Sequence, residues 1–304
     1  MAKIFFISGF GDVQSRGNQT MKNTVKYLSE FGHKIDVFTF LPGDYPNLLN
    51  PDSVFNSNVK YRRLPGFLMP LVHFGWKIKD TLGRWRLPQK KTKNLELEKP
   101  VDYYGEYNFF GRFSYVIFLF LLYFPIEFFR TLFFYFKEKP DIFYGFNCQG
   151  VLVASFLGRI FNKPIVARHQ GAGIERENLK SFMYRLSLAD DITGIKAYCD
   201  ALIMNDDRGG IKEILDELKV DLKKVNIWMN GLDTDNLAIP DGWDAQTFKR
   251  QKGLAGKKII LMVSRLAFWK RVDRGIFCAA QLVKKYHVTD FKLLIAGEGL
   301  VALG

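Results

Sequence analysis

The stretch "KIFFISGFGDVQSRGNQTMKNTVKYLSEFGHKIDVFTF", residues 3–40, decides the fold. "KIFFIS" (3–8) is a short apolar run of the kind buried on both faces of a parallel sheet. A glycine-rich turn, "GFGDVQSRG", follows, and then "NQTMKNTVKYLSEFG". There Val25, Leu28 and Phe31 recur at helical spacing, and Gly32 stands where a helix ends. "KIDVFTF" (34–40) reads as a second strand. Strand, helix and strand in this order make a βαβ unit, the building block of doubly wound sheets.

The alternation resumes further along. Strands are expected at 140–146, 164–170, 200–205 and 224–231, with helices at 150–162 and 208–219. Residues 233–257 are polar and punctuated by Gly and Pro, as a linker would be. The rhythm then restarts with a strand at 258–263, a helix at about 272–286 and a strand at 292–297. The expected organisation is a complete α/β domain over 1–232, a linker over 233–256 and the first β-α-β of a second α/β domain over 257–304. A β-α-β of that size cannot bury both faces of a parallel sheet, so the second unit should be poorly stable by itself.

Composition narrows the classes. With 48% hydrophobic and 25% charged residues the chain is globular rather than disordered. The three cysteines, Cys148, Cys199 and Cys278, are far apart, and no CxxC or Cys/His spacing occurs. That argues against a disulfide framework and a metal centre and suits a reducing, cytoplasmic setting. The N-terminus runs straight into a short strand and lacks the parts of a secretory signal.

The net charge of +13 favours an anionic partner. Most of it lies between 60 and 93, where Arg62, Arg63, Lys77, Arg84 and Arg86 are interleaved with Trp76 and Trp85. Confinement to one insert, with no nucleic-acid motif, argues against nucleic acid. Cations mixed with aromatic rings suit an acidic bilayer surface. The Phe-rich run at 113–139 is broken by Pro125, Glu127 and Arg130. Its uninterrupted part falls short of a span, so a buried or membrane-touching helix is expected.

Ligands of open α/β sheets bind beyond the carboxyl ends of the strands. Three stretches occupy that edge. In the first, Gly9, Gly11 and Gly17 follow a strand, but the third glycine comes too late for the dinucleotide fingerprint. The second is "VARHQGAG" (166–173), which places His169 at a strand's end before a glycine turn. The third is "MVSRLAFWKRVD" (262–273), which sets Arg265 and Lys270 just past a buried strand. A guanidinium fork and an ammonium there can clamp a diphosphate.

Taken together, these segments resemble the retaining glycosyltransferases of family 4, whose GT-B fold sets two Rossmann-like domains face to face. "LSEFGHKIDVFTF", "KEKPDIFYGF", "NIWMNGLDTDNL", "ILMVSRLAFWKRVDRGI" and "KLLIAGEGL" are similar to that family's successive motifs. The resemblance implies transfer of a hexose-type sugar from a UDP- or GDP-linked donor to a saccharide or lipid-linked acceptor. It implies no cofactor and no metal. Arg265, Lys270 and, from the glycine loop, Gly17 would bind the donor diphosphate, and His169, near the transferred sugar, would be the catalytic residue. Peripheral attachment at the inner membrane face is expected, with Arg62, Arg63, Trp76, Lys77, Arg84, Trp85 and Arg86 as membrane-surface residues.

Ser264, Arg271 and Met229 depart from the pattern, standing where the family has Gly, Gly and Pro. The family's Glu-x7-Glu donor segment would lie beyond Gly304. The 304 residues by themselves are therefore expected to show little transfer activity. The alternative is a non-catalytic α/β module that binds a membrane surface or a sugar.

Overall fold

A computed structural model describes residues 1–9, 19–40, 56–68, 70, 109–171, 173–174, 176–205, 210–231, 239, 241–264, 266 and 270–297, with backbone only at 109–112. These residues fall into two compact units, the first reaching Gly231 and the second starting at Ile239.

In the first unit the strands are β1 (Lys3–Ile7), β2 (Lys34–Phe38), β3 (Val59–Arg62), β4 (Ile142–Phe146), β5 (Ile165–His169), β6 (Ala201–Asn205) and β7 (Val225–Trp228). They form one sheet in the order β3-β2-β1-β4-β5-β6-β7, and every pairing is parallel. Ile4 stands level with Ile35 on one side and Ile142 on the other. The strand order reverses between β1 and β4, which makes the carboxyl ends of these two strands the topological switch point. Phe5, Phe6, Ile7, Phe143 and Phe146 are fully buried, as strands covered on both faces require.

Helices α1 (Gln19–Glu30), α2 (Phe109–Phe118), α3 (Phe124–Glu138), α4 (Asn147–Ile160), α5 (Phe182–Ser187), α6 (Ala189–Lys196) and α7 (Ile211–Glu217) complete the first unit. A π turn over Leu119–Tyr123 joins α2 to α3. Pro125 has no N–H to return to the preceding turn, so a widened turn just before it is where the strain goes. The Phe-rich run is thus one continuous helical rod. One side of it packs on the sheet, with Phe134 against Phe38 at 5.7 Å and Tyr135 stacked on Phe143 at 6.1 Å. The rod is long and apolar enough to cross a membrane, yet it carries a buried ion pair. Glu127 and Arg130 meet at 2.5 Å, and the Arg130 guanidinium also donates to the Thr39 carbonyl at 3.0 Å. Burial pushes the Glu127 carboxyl up, and Arg130 works against that.

Three expectations need correction. No strand was expected between residues 40 and 140, but Val59–Arg62 adds a parallel edge strand beside β2. Arg62 was expected to face a membrane. Instead its guanidinium reaches Asp36 at 2.7 Å and Glu138 at 3.0 Å, and Lys3 also pairs with Glu138. Asp36 is 2% exposed, and a buried carboxylate needs such a partner. Arg63 follows, half-buried, just past the strand. Trp76, Lys77, Arg84, Trp85 and Arg86 lie outside the described residues. Finally, Phe31, placed on the buried stripe of the first helix, is 76% exposed beyond its end.

The second unit holds α8 (Ala245–Gln251), β8 (Lys258–Val263), α9 (Val272–Lys284) and β9 (Phe291–Ala296). Helix α8 forms inside the expected linker. Its start is fixed by Asp244, whose carboxylate accepts from the Thr247 amide at 2.6 Å. Strands β8 and β9 pair in parallel, with Ile260 level with Leu293. Leu261 and Val263 are exposed.

The sheet and α4 meet where no side chain fits. A Cβ added at Gly150 would lie 1.9 Å from the Ile7 carbonyl oxygen. Alanine normally favours a helix over glycine by about 1 kcal/mol. Here the clash is with backbone and decides the sign. Gly150→Ala is expected to destabilise the first unit by roughly 3 kcal/mol, read as a lower urea midpoint; a midpoint at or above that of the parent would contradict the packing.

Candidate functional site at the carboxyl edge of the sheet

Five strand ends build the site. Ser8 and Gly9 follow β1, and the Gly9 carbonyl accepts from the Phe40 amide at 2.9 Å, tying the β1 and β2 ends together. Gly9 has φ +65°, and a Cβ there would lie 2.8 Å from Gln149 Cβ. The glycine therefore answers both a left-handed turn and a close neighbour. After β4, Asn147 takes φ +55° to turn the chain directly into α4. Two residues on, the Gln149 amide donates to the Tyr115 hydroxyl at 2.6 Å. Tyr123 is fully buried beside it, its phenol pushed far up by burial and then by Glu127. It keeps its proton at any ordinary pH.

His169 ends β5 and is 3% exposed. Burial lowers its pKa from 6.5 to about 4, although the Gly194 backbone favours the charged ring. The imidazole is therefore neutral at pH 7. Its Nε2 is buried with no hydrogen-bond partner among the described residues. An unmade hydrogen bond of this kind costs on the order of 1–3 kcal/mol, and a ligand hydroxyl would recover it. At the end of the neighbouring β6 the Asn205 Oδ1 is in the same condition.

What holds His169 in place is α6. A Cβ at Gly194 would lie 2.7 Å from both Cα and Cβ of Cys148 and 3.2 Å from His169 Cε1. The glycine lets α6 close over the first turn of α4 and the imidazole together. The Cys148 thiol donates to Asp190 Oδ2 at 3.7 Å. Burial, with Asp191 and Asp190 nearby, pushes that thiol well above its ordinary pKa, so it stays protonated. Cys148, Asp190 and Asp191 could each turn a ligand atom to one point.

Of the residues expected from the sequence, His169 lies at the carboxyl edge as read. Gly17 and Arg265 fall outside the described residues. Lys270 is exposed in the second unit, one residue before Arg271. Arg271 has φ +51° and pairs with Asp273 at 2.9 Å. The left-handed backbone is the reason glycine suits this position, and here an arginine accepts the strain of roughly 1 kcal/mol. Its guanidinium, by hydrogen bonding, holds the Asp273 carboxyl below the usual range.

The sequence reading missed Asn205, Gln149 and Gly194. Asn205 had a signal: like His169, it is a polar residue closing an apolar strand, "ALIMN". Gln149 and Gly194 carried none, because their roles come from contacts across the fold.

No family model matches the chain, and no curated protein matches it. Solved structures match it in fold. HepE from Anabaena, crystallised with UDP, superposes with a TM-score of 0.57 at 13% identity, over 99% of this chain and 62% of HepE. A crystal structure of HepE with UDP and glucose gives 0.55 at 14% identity. A glycosyltransferase from Rickettsia africae gives 0.51 at 14% identity, over 97% of this chain and 60% of that protein. WaaG, a glycosyltransferase involved in lipopolysaccharide biosynthesis, gives 0.50 at 14% identity, over 98% and 64%. The chain spans less than two thirds of the length of each. At such identities the likeness is one of fold, and that fold is GT-B: a seven-stranded parallel α/β unit and, after it, a second parallel α/β unit.

A histidine depressed by burial has a defined signature. The unfolded ring takes up a proton near pH 6.5, whereas the folded ring resists until about pH 4. Stability from His169 is therefore complete above pH 6.5 and lost as pH falls to 4, by on the order of 3 kcal/mol. Urea melts across that range should show the parent losing stability relative to His169→Asn by this amount. Parallel profiles would contradict a buried neutral imidazole.

Proposed function

We propose that this chain belongs to a glycosyltransferase that moves a hexose-type sugar from a nucleoside-diphosphate sugar to a saccharide or lipid-linked acceptor. The observation that carries the reading is the neutral, unpartnered His169 imidazole at the carboxyl edge of a GT-B sheet. Support for the donor class comes from HepE, which binds UDP and, with it, glucose in its crystals. We favour UDP over GDP on that ground.

In this reading the bond that breaks joins the anomeric carbon of the sugar to the diphosphate. Negative charge grows on the departing oxygen as it breaks. Fixed cations lower the barrier because they bind that charge more strongly than the ground state. Arg265 and Lys270 take this role, Arg265 as a planar fork and Lys270 as a point charge. The reading assigns charge neutralisation to these side chains and to no metal. In the same reading Gly17, from the glycine loop, contributes to donor binding. His169 meets a sugar hydroxyl through Nε2 and, being neutral, can accept or donate there without changing charge. Retention of configuration at the anomeric carbon belongs to the same proposal, as does a cytoplasmic location for the donor chemistry.

The test is a calorimetric titration of UDP, GDP and UDP-glucose with and without EDTA. UDP is expected to bind at roughly millimolar Kd or tighter, which is about −4 kcal/mol, with no effect of EDTA. Arg265→Ala or Lys270→Ala should weaken UDP about tenfold or more, in line with loss of a charge-assisted contact. His169→Asn should leave UDP unchanged and weaken UDP-glucose. Absence of nucleotide binding, or binding indifferent to both cations, would overturn the reading.

A further inference from the structure

We propose that the outer side of the α2–α3 rod, with the neighbouring side of α4, is a docking face for an anionic lipid surface, on which the rod lies flat. Between Phe113 and Phe136 every exposed residue is apolar: Ile117, Leu121, Phe129, Phe133 and Phe136. At 1.5 Å per residue the stripe runs for roughly 29 Å. Surface helices of soluble domains carry charged and polar residues on the side away from the core. Here the core side holds the ion pair and the outer side holds the phenyl rings.

The stripe is widened by α4. Phe156 and Ile160 are 54% and 59% exposed. Ring contacts make the surface continuous: Phe156 meets Phe124 at 5.2 Å, and Phe136 meets Phe161 at 6.0 Å. A patch this long and this free of polar atoms marks an interaction surface.

Charge selects the occupant. Lys137, Lys139 and Arg159 are exposed and Lys163 is half-buried at the end of the face where α3 stops and α4 ends. None of them is in an ion pair among the described residues. Lys137 lies over the Phe133 ring at 4.2 Å and Arg159 over the Tyr198 ring at 5.4 Å. Of the carboxylates of this stretch, Glu127 is paired with Arg130 and Glu138 with Lys3 and Arg62, while Asp141 is exposed and accepts from the Lys3 amide. Phenyl rings with four cations near them and one exposed carboxylate, Asp141, fit rings set among acyl chains and cationic groups among lipid phosphates. A protein partner would be met by polar rim contacts, which this stripe lacks over its length. A second copy would bring the same cations, Lys137, Lys139, Arg159 and Lys163, to the face. The rod does not span the bilayer in this proposal, because its inner side is part of the sheet's core.

Vesicle flotation of the whole chain tests this, independently of any nucleotide binding. The chain is expected to float with phosphatidylcholine/phosphatidylglycerol vesicles and far less with phosphatidylcholine alone. Phe129→Glu/Phe133→Glu should lower partitioning about tenfold or more, given the apolar area of two rings. Charge reversal at Lys137, Lys139, Arg159 and Lys163 should abolish the preference for anionic lipid. All these side chains are exposed or half-buried, and thermal melts check that the variants fold. Phe133→Trp gives a second reading: a blue-shifted emission, quenched by brominated lipid, over that of the parent. The proposal is overturned if the parent stays unbound, if the double variant floats as the parent does, or if the tryptophan stays unquenched. It is equally overturned if the parent self-associates through this face without lipid.

Discussion

The first unit depends on how closely α4 can approach the end of β1. Gly150 sits against the Ile7 carbonyl with no room for a methyl group. That contact sets the height of the whole first turn of α4 above the sheet. Gln149 is thereby brought under Gly9, and Cys148 is placed where α6 can close on it. Gly194 repeats the device one layer out, between Cys148 and His169. A shift of either helix by a few tenths of an ångström would open the packing that keeps the His169 ring dry and neutral.

Two groups of buried charges shape the same unit. Asp36, Arg62, Glu138 and Lys3 tie β1, β2, β3 and the end of α3 together. Burial raises the Asp36 carboxyl despite Arg62 beside it, so desolvation outweighs the attraction there. The more exposed Glu138 is lowered, first by its hydrogen bond with Lys3. The second group, Glu127 with Arg130, explains how so apolar a helix belongs to the core of this unit on one side. Paired charges at a sheet are tolerable, whereas the same pair facing acyl chains would be costly.

Much of the fold was legible in the sequence because both-face burial writes unbroken apolar runs. "KIFFI", "DIFYGF" and "ALIM" fall on β1, β4 and β6 for this reason. Strand β3 escaped notice because an edge strand is covered on one side and "VKYR" carries two cations among its four residues. Helix α6 escaped because "ADDITGIK" buries an aspartate, against the usual pattern. At the site, His169 was legible as a polar residue at a strand's end. Its neutrality was not, since that comes from α6 and α4, which are distant in sequence. The aromatic stripe was legible as hydropathy only. Which rings face the sheet and which face outward is settled by packing.

The central claim is that a neutral, ligand-ready imidazole stands at the carboxyl edge of this sheet. The chain has four histidines, His33, His73, His169 and His287, so side-chain NMR of the labelled protein with a His169→Asn control resolves each one. The account predicts that the His169 ring stays neutral from pH 8 down to the vicinity of its pKa of about 4. It further predicts that the ring's Nε2 signal moves when UDP-glucose is added and much less when UDP is added. A ring that titrates near pH 6.5 and ignores the sugar nucleotide would contradict it.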